Sequence, residues 1–365
     1  GMLVDLVGLQ KRVRTASEMM EAFSDEAECR RILEAMVWPS GRYCPDCGSL
    51  RSTALAGRDT GAKARPGLYQ CAEPECRCQF TVTTRTPLHS TKLKLSVWLK
   101  ALWFSLQTDK GMSSPRLAEL VGVTQPTAWR MGHIIRQMMA TGADRLEGVV
   151  EAEEVMIGGK PRKDPSNPDA RRGKQGHTTK RPILVAVQRP DALEIGGGPG
   201  RAAAVPATGL NAGAVRASLA TVVEASAHLM TDQAPAFAVA GRDYAAHESV
   251  NHSQLEYVRG DVHVNSAEGF NDRLRRTVAG VFHHISPNHT DRYVAEVAFR
   301  WNQRICVGES IRRTRKGRVV RRPKYDRLAP FTQMLGLLPG CVGHQLRRTR
   351  DESMRVETSV AVFGI

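Results

Sequence analysis

"VVEAEEVMIGG" (149–159) is a strand-like run that ends in Gly158-Gly159 and carries Glu151, Glu153 and Glu154. A basic loop follows, and then "PILVAVQR" (182–189), whose branched aliphatics suit a buried strand. "GRAAAVPA" (200–207) supplies a third strand, "AGAVRASLATVVEAS" (212–226) a helix, and "AHLMTD" (227–232) a strand that delivers Asp232 at its end. Strands, a helix, another strand and further helices make a mixed α/β domain of about 150 residues.

"HVNSAEGFNDRLRR" (263–276) continues it with a helix. Asn265, Glu268, Asp272 and Arg275 recur at steps of three, four and three, forming one polar stripe, while Phe270, Leu274 and Val278 line a face that can pack on a core. Such a stripe is either a salt-bridged solvent face or one wall of a charged site. Glu153, Asp232 and Glu268 come from a first strand, a later strand and a following helix. Three carboxylates on separate elements can converge into a hard-oxygen site for Mg²⁺ or Mn²⁺, although acids at strand ends are also common without any such role.

Upstream, five of the eight cysteines fall between Cys44 and Cys78. "YCPDCGS" and "YQCAEPECRCQF" set Cys44 and Cys47 against Cys71, Cys76 and Cys78. A Cys-Pro-x-Cys-Gly knuckle brings two thiolates onto one ion, and four thiolates close the coordination shell of a structural Zn²⁺. The expected ligands are Cys44, Cys47, Cys71 and Cys76, with Cys78 competing for the fourth place. A module this small has little core, so the metal supplies much of its folding energy.

Between the cysteines and the acidic strands lie helices. "TKLKLSVWLKALWFSLQ" (91–107) spaces Leu95, Trp98, Leu99, Leu102 and Leu106 as an amphipathic helix, with its tryptophans read as core. In "GMSSPRLAELVGVTQPTAWRMGHIIRQMM" (111–139), Ser114-Pro115 starts one helix, Gly122 ends it and a second begins near Thr124 to Pro126. Two short helices joined by "VGVT" resemble a helix-turn-helix, whose second helix would present Thr127 and Arg130 to a major groove.

Lys and Arg total 52 against 37 acids, a net +15, which points to polyanionic partners. The excess gathers at 160–181, with Arg171, Arg172, Lys174 and Lys180, and at 311–324, with Arg312 and Arg313. Either run alone reads as a solvated linker; together, flanking the stripe, they favour double-stranded DNA. No apolar run approaches the ~18 residues of a membrane span, and no secretion signal is evident. The expectation is a cytoplasmic, nucleoid-associated protein with no membrane partner.

The order of these motifs, with "HESVNHSQLEYVRGDVHVNSAEGF…GVFHHISPNHTDRYVAEVAFRWNQR" (247–304), resembles the insertion-sequence 1595 (ISXO-type) transposases, from about Phe23 to Arg304. The resemblance implies a ribonuclease-H-like catalytic domain using DDE chemistry and a homo-oligomer on DNA. It places the three catalytic acids on Glu153, Asp232 and Glu268, the family's lysine on Arg275, and the His-x-Asn-x-x-Glu pattern on His263, Asn265 and Glu268. The family typically has Asp at 153, Tyr at 156 and Lys at 275, and often Trp at 271, where this chain has Glu153, Met156, Arg275 and Asn271. The organisation expected is a zinc ribbon at 20–90, a helix-turn-helix-like region at 91–145, the catalytic domain at 146–305 and a basic C-terminal tail at 306–365. The activity implied is cutting of element ends and transfer of the 3′-hydroxyl to target DNA by two-metal phosphodiester chemistry. Because the departures cluster at catalytic positions, the alternative is a transposase-derived, catalytically weak DNA-binding protein, regulatory or architectural. A nuclease on the same fold is a third reading.

Overall fold

In the computed structural model, which describes residues 4–55, 66–141, 144–158, 180–190, 194–251, 258–283, 285–314, 317–348 and 354–358, the chain divides into two units. One comprises Gly1–Gly142 with Ala329–Ile365, the other Ala143–Leu328.

The first unit begins with α1 (Leu6–Arg12), α2 (Ala16–Ala22) and α3 (Glu26–Val37). A reciprocal cap starts α2: Thr15 accepts from the Glu18 N–H while Glu18 accepts from the Thr15 N–H at 2.8 Å. Three short antiparallel strands follow, β1 (Ser52–Ala54), β2 (Tyr69–Cys71) and β3 (Gln79–Phe80). Their apolar support is small. Trp38, just past α3, meets Tyr69 and Phe80 edge-on at 5.9 and 6.1 Å, and the Tyr69 hydroxyl donates to Glu34 at 3.0 Å. Next come α4 (Leu95–Gln107), α5 (Ser114–Val121) and α6 (Gln125–Ala140). The spacing of α4 buries Trp98, Leu99, Leu102 and Leu106 as expected. Gly122 takes φ +71° to end α5, a conformation that strains any residue with a Cβ.

The second unit is built on β4 (Val149–Ile157), β5 (Arg181–Gln188), β6 (Ala202–Pro206), α7 (Ala212–Val222), β7 (His228–Asp232), α8 (Pro235–Ala240), β8 (Ala246–Val250), α9 (Asn265–Thr277) and α10 (Thr290–Asn302). The five strands form one mixed sheet in the order β6-β5-β4-β7-β8. β4 is antiparallel to β5 and parallel to β7, which in turn runs parallel to β8. Strand alternation splits the core in two. Val155, Ile157, Val185 and Val187 pack with Phe270 and Leu274 of α9 and Val294 and Val297 of α10. Val150, Ala152, Leu184 and Leu229 pack with Val215 and Leu219 of α7 and Phe237 of α8. Phe270 and Leu274 have no exposed surface, and burying each is worth roughly 1.5–3 kcal/mol. They fix the rotation of α9 over β4.

The stretch expected as a basic tail is not one piece. β9 (Arg304–Arg313) and β10 (Val319–Arg327) form an antiparallel hairpin that belongs to the second unit. The chain then rejoins the first unit with α11 (Pro330–Leu337), β11 (His344–Arg348) and β12 (Met354–Thr358). Phe331 and Met334 are wholly buried, and Gln333 donates to the Leu106 carbonyl of α4 at 3.3 Å. "PFTQMLGLL" therefore forms core rather than tail. Among the described residues no helix is long and apolar enough to cross a membrane.

Candidate active site

β4 and β7 run parallel, with Glu151 paired to Met230. Two residues further along each strand stand Glu153 and Asp232, side by side on the same face. That face is the one covered by α9, and Glu268 lies in the first turn of α9. All three acids are half-buried. The Glu153 carboxyl is pushed up to about 7, first by burial and then by the charge of Glu268, with Glu154 and Asp232 adding to the effect. A hydrogen bond from Asn271 Nδ2 at 2.7 Å opposes that rise. Asp232 also accepts from the Ala234 N–H at 3.1 Å, which fixes the turn into α8. Glu268 and Asp232 thus lie within electrostatic range of Glu153, but the three carboxylates do not close into an ion-sized grouping as the four cysteines do.

Glu154 alternates to the opposite face of β4, and its carboxyl is raised by burial and by Asp232. Glu151 points under α9 and has another task. It has no solvent exposure and pairs with Arg189 Nε at 2.5 Å. It also accepts the N–H groups of Ser266 at 2.6 Å and Ala267 at 3.1 Å, at the start of α9. His263 Nδ1 lies 3.2 Å from the same carboxylate. Arg189 extends the cluster to the carbonyls of Asp261 (2.7 Å) and His263 (2.9 Å). A carboxylate two residues from Glu153 therefore holds the helix that carries Glu268, by charge, by hydrogen bonds and through the helix dipole. The sequence named Glu151 only as one of three acids in the first strand and gave Arg189 no role.

The stripe on α9 divides. Glu268 turns toward the other acids, whereas Arg275 is 58% exposed and lies 3.8 Å from Asp272 on its own helix. Arg276 shares Asp272 at 3.4 Å, and Asn265 is exposed at the helix start. Asn271, which sequence reasoning noted only as a departure, is 1% exposed and contacts Glu153 directly.

In the first unit, Cys44, Cys47, Cys71 and Cys76 place their sulfurs within 4.8 Å of one another, the one such grouping of possible ligands among the described residues. The Cys47–Cys71 and Cys44–Cys76 sulfurs are 3.5 and 3.7 Å apart, close to the ~3.8 Å edge of a tetrahedron with Zn–S bonds of about 2.3 Å. Cys78 instead turns its thiol to the Gln79 carbonyl at 3.6 Å. The donor set fits zinc.

On α6, Thr127 is half-buried and joined to Thr124 at 2.9 Å, while Arg130 is exposed. Both border a cleft of about 470 Å³ shared with His89, Lys92 and Trp98. Lys180 is exposed just before β5, and Arg312 and Arg313 are exposed on β9. Arg171, Arg172 and Lys174 lie outside the described residues.

Residues 145–302 match the ISXO2-like transposase domain, and residues 24–79 match the transposase zinc-ribbon domain. A protein of Halobacterium salinarum, described as an uncharacterized protein in transposable element ISH50, is 27% identical over 271 residues, covering 70% of this chain and 84% of its own length.

Proposed function

The chain belongs to the insertion-sequence 1595 transposases, and from that premise we propose that it is a DNA transposase that cuts the ends of its element and joins their 3′-hydroxyls to target DNA. The observation that carries this reading is the placement of Glu153 and Asp232 on one face of two adjacent parallel strands, beneath the helix that carries Glu268 in its first turn. Burial first, and then the charge of Glu268 with smaller contributions from Glu154 and Asp232, push the Glu153 carboxyl up to about 7. Repulsion of that kind is relieved by a divalent cation, and three hard oxygen donors suit Mg²⁺ or Mn²⁺. Bound there, such ions supply Lewis acidity to the phosphodiester and to the attacking oxygen.

The chain's own residues do the rest. Asn271 Nδ2 donates to one oxygen of Glu153 and so orients its carboxylate. Glu151, Arg189 and His263 hold the start of α9, and so the placement of Glu268. Arg275, two turns along the face of Glu268, offers a cation to the DNA backbone in place of the family's lysine. The sheet order and strand directions support a ribonuclease-H-like domain. Cys44, Cys47, Cys71 and Cys76 hold a structural zinc, and α5 and α6 act as a helix-turn-helix with Thr127 and Arg130 facing duplex DNA. The basic residues Arg171, Arg172, Lys174, Lys180 and Arg312 grip phosphates. Pairing two ends requires at least two subunits on DNA.

A strand-transfer assay on the element's terminal repeats with Mg²⁺ or Mn²⁺ tests this. Joined products that disappear with Asp232→Ala support the transposase. Cut ends that are never joined indicate a nuclease, and binding with neither cutting nor joining indicates a DNA-binding protein on a silent catalytic frame.

A further inference from the structure

β9 and β10 leave the second unit as a two-stranded arm, and the two ends of this arm differ. The base is anchored. Cys306 exchanges backbone hydrogen bonds with Gly196 and Gly197 at 2.8 and 2.7 Å, and the Leu328 N–H reaches the Gln303 carbonyl at 2.9 Å. Arg304 lies over the rings of Trp301 (3.7 Å) and Tyr325 (5.4 Å). Beyond the register shift at Lys324/Tyr325, the side chains turn to solvent on both faces. Glu309, Ser310, Ile311, Arg312 and Arg313 are all exposed, as are Val319, Arg321, Arg322 and Lys324. At the tip, the Thr314 N–H meets the Arg318 carbonyl at 2.8 Å and Gly317 takes φ +78°.

A lone two-stranded hairpin is marginally stable in water. This one adds self-repulsion, with eight Lys or Arg and one acid between Gly308 and Lys324. The register sorts those charges by face. Gly308, Ser310 and Arg312 pair with Lys324, Arg322 and Val320 on one side; Glu309, Ile311 and Arg313 pair with Pro323, Arg321 and Val319 on the other. The first face carries Arg312, Arg322 and Lys324 and no acid. On the second, Glu309 lies 3.6 Å from Arg321, and Ile311 and Val319 are exposed at 63% and 49%. Arg313 and Arg321 against Glu309 leave the second face with one net positive charge, where the first has three with no acid, so the charge is biased to the first face. Adjacent Arg312 and Arg313, read together from the sequence as one phosphate grip, point in opposite directions.

A B-DNA major groove about 12 Å wide admits a two-stranded ribbon, and six residues of strand span roughly 20 Å along it. We propose that this arm is a DNA-binding β-ribbon that lays its Arg312–Arg322–Lys324 face against the phosphates bordering a major groove, with the Glu309–Arg321 face turned away. Duplex DNA as the polyanion rests on the transposase reading; the asymmetry of the arm does not.

The test measures affinity of the full-length chain for duplex DNA across a salt series. Each phosphate contact contributes about 0.9 to the slope of log K against log salt. Replacing Arg312, Arg322 and Lys324 together with serine should flatten that slope by about 2.7. The pair Arg313→Ser with Arg321→Ser should leave it unchanged. A gain-of-charge pair guards against misfolding of the triple variant: Val320→Lys should steepen the slope by about 0.9, and Val319→Lys should not. Equal effects from both faces, or none from either, overturn the ribbon. Strand transfer run alongside separates the two readings. A one-sided salt effect without joining by wild type leaves the ribbon standing and removes the transposase, and joining without a one-sided effect does the reverse.

Discussion

Glu151→Gln should loosen α9 more than any other single change of equal size. The native carboxylate has no solvent exposure and faces Arg189, itself only 17% exposed, at 2.5 Å. It also satisfies the N–H groups of Ser266 and Ala267. Glutamine keeps one oxygen but removes the charge, which leaves the Arg189 guanidinium largely buried without its anion. Breaking one side of such a pair costs about 3–5 kcal/mol. The lost charge at the helix start adds roughly 0.3–1 kcal/mol, so the stranded arginine dominates. Hydrogen exchange followed peptide by peptide reads the effect locally. Amides of Glu268–Leu274 should lose between about 10²-fold and 10⁴-fold in protection, since each ~1.4 kcal/mol is tenfold. Glu151→Met with Arg189→Met, which removes both charges, should recover most of that loss. Protection within tenfold of wild type in the single variant, or a double variant worse than the single, refutes the reasoning.

Cys76→Ser should abolish stoichiometric zinc, measured by atomic absorption on the purified chain, while Cys78→Ser should retain it, because the Cys76 sulfur belongs to the four-cysteine cluster and the Cys78 sulfur does not. The Glu153 carboxyl, raised from 4.5 to about 7, favours the fold while protonated. Without metal, this group's contribution to stability should be fully present below pH 4.5 and lost as pH rises through 7, by about 1–2 kcal/mol once solvent screening is allowed for. Glu153→Gln should remove that decline in thermal melts, and Mg²⁺ should offset it in wild type. Asn271→Leu takes away the 2.7 Å hydrogen bond to Glu153; a bond to a charged group is worth about 1.5–3 kcal/mol, so calorimetric Mn²⁺ binding should weaken roughly tenfold or more.

The parts legible in the sequence are those whose signal is local. "PILVAVQR" declared a buried strand, "TD" closed a strand at Asp232, and the two cysteine pairs sat at metal spacing. The helical period also put Phe270 and Leu274 on the packed face of α9. What escaped depends on distant partners. Strand alternation sets Glu151 on the face of Glu153, but Arg189 and His263 approach it from elsewhere in the fold. Arg275 was placed on the face of Glu268 by period alone, and its nearest acid is Asp272 on its own helix. Arginine density at 311–324 hid a paired hairpin, because charge says nothing about alternation when both faces are solvated. The same density drew attention away from Phe331 and Met334, which bury completely.

The proposed function stands or falls on Glu153, Asp232 and Glu268 sharing one cation site. Iron-directed cleavage tests it most directly: Fe²⁺ takes the place of Mg²⁺, and peroxide then cuts the backbone near the bound ion. Cuts are expected near residues 153, 232 and 268 together, suppressed by excess Mg²⁺ and by Asp232→Ala. Cuts near only one of the three, or a pattern that Mg²⁺ and Asp232→Ala leave unchanged, would contradict it.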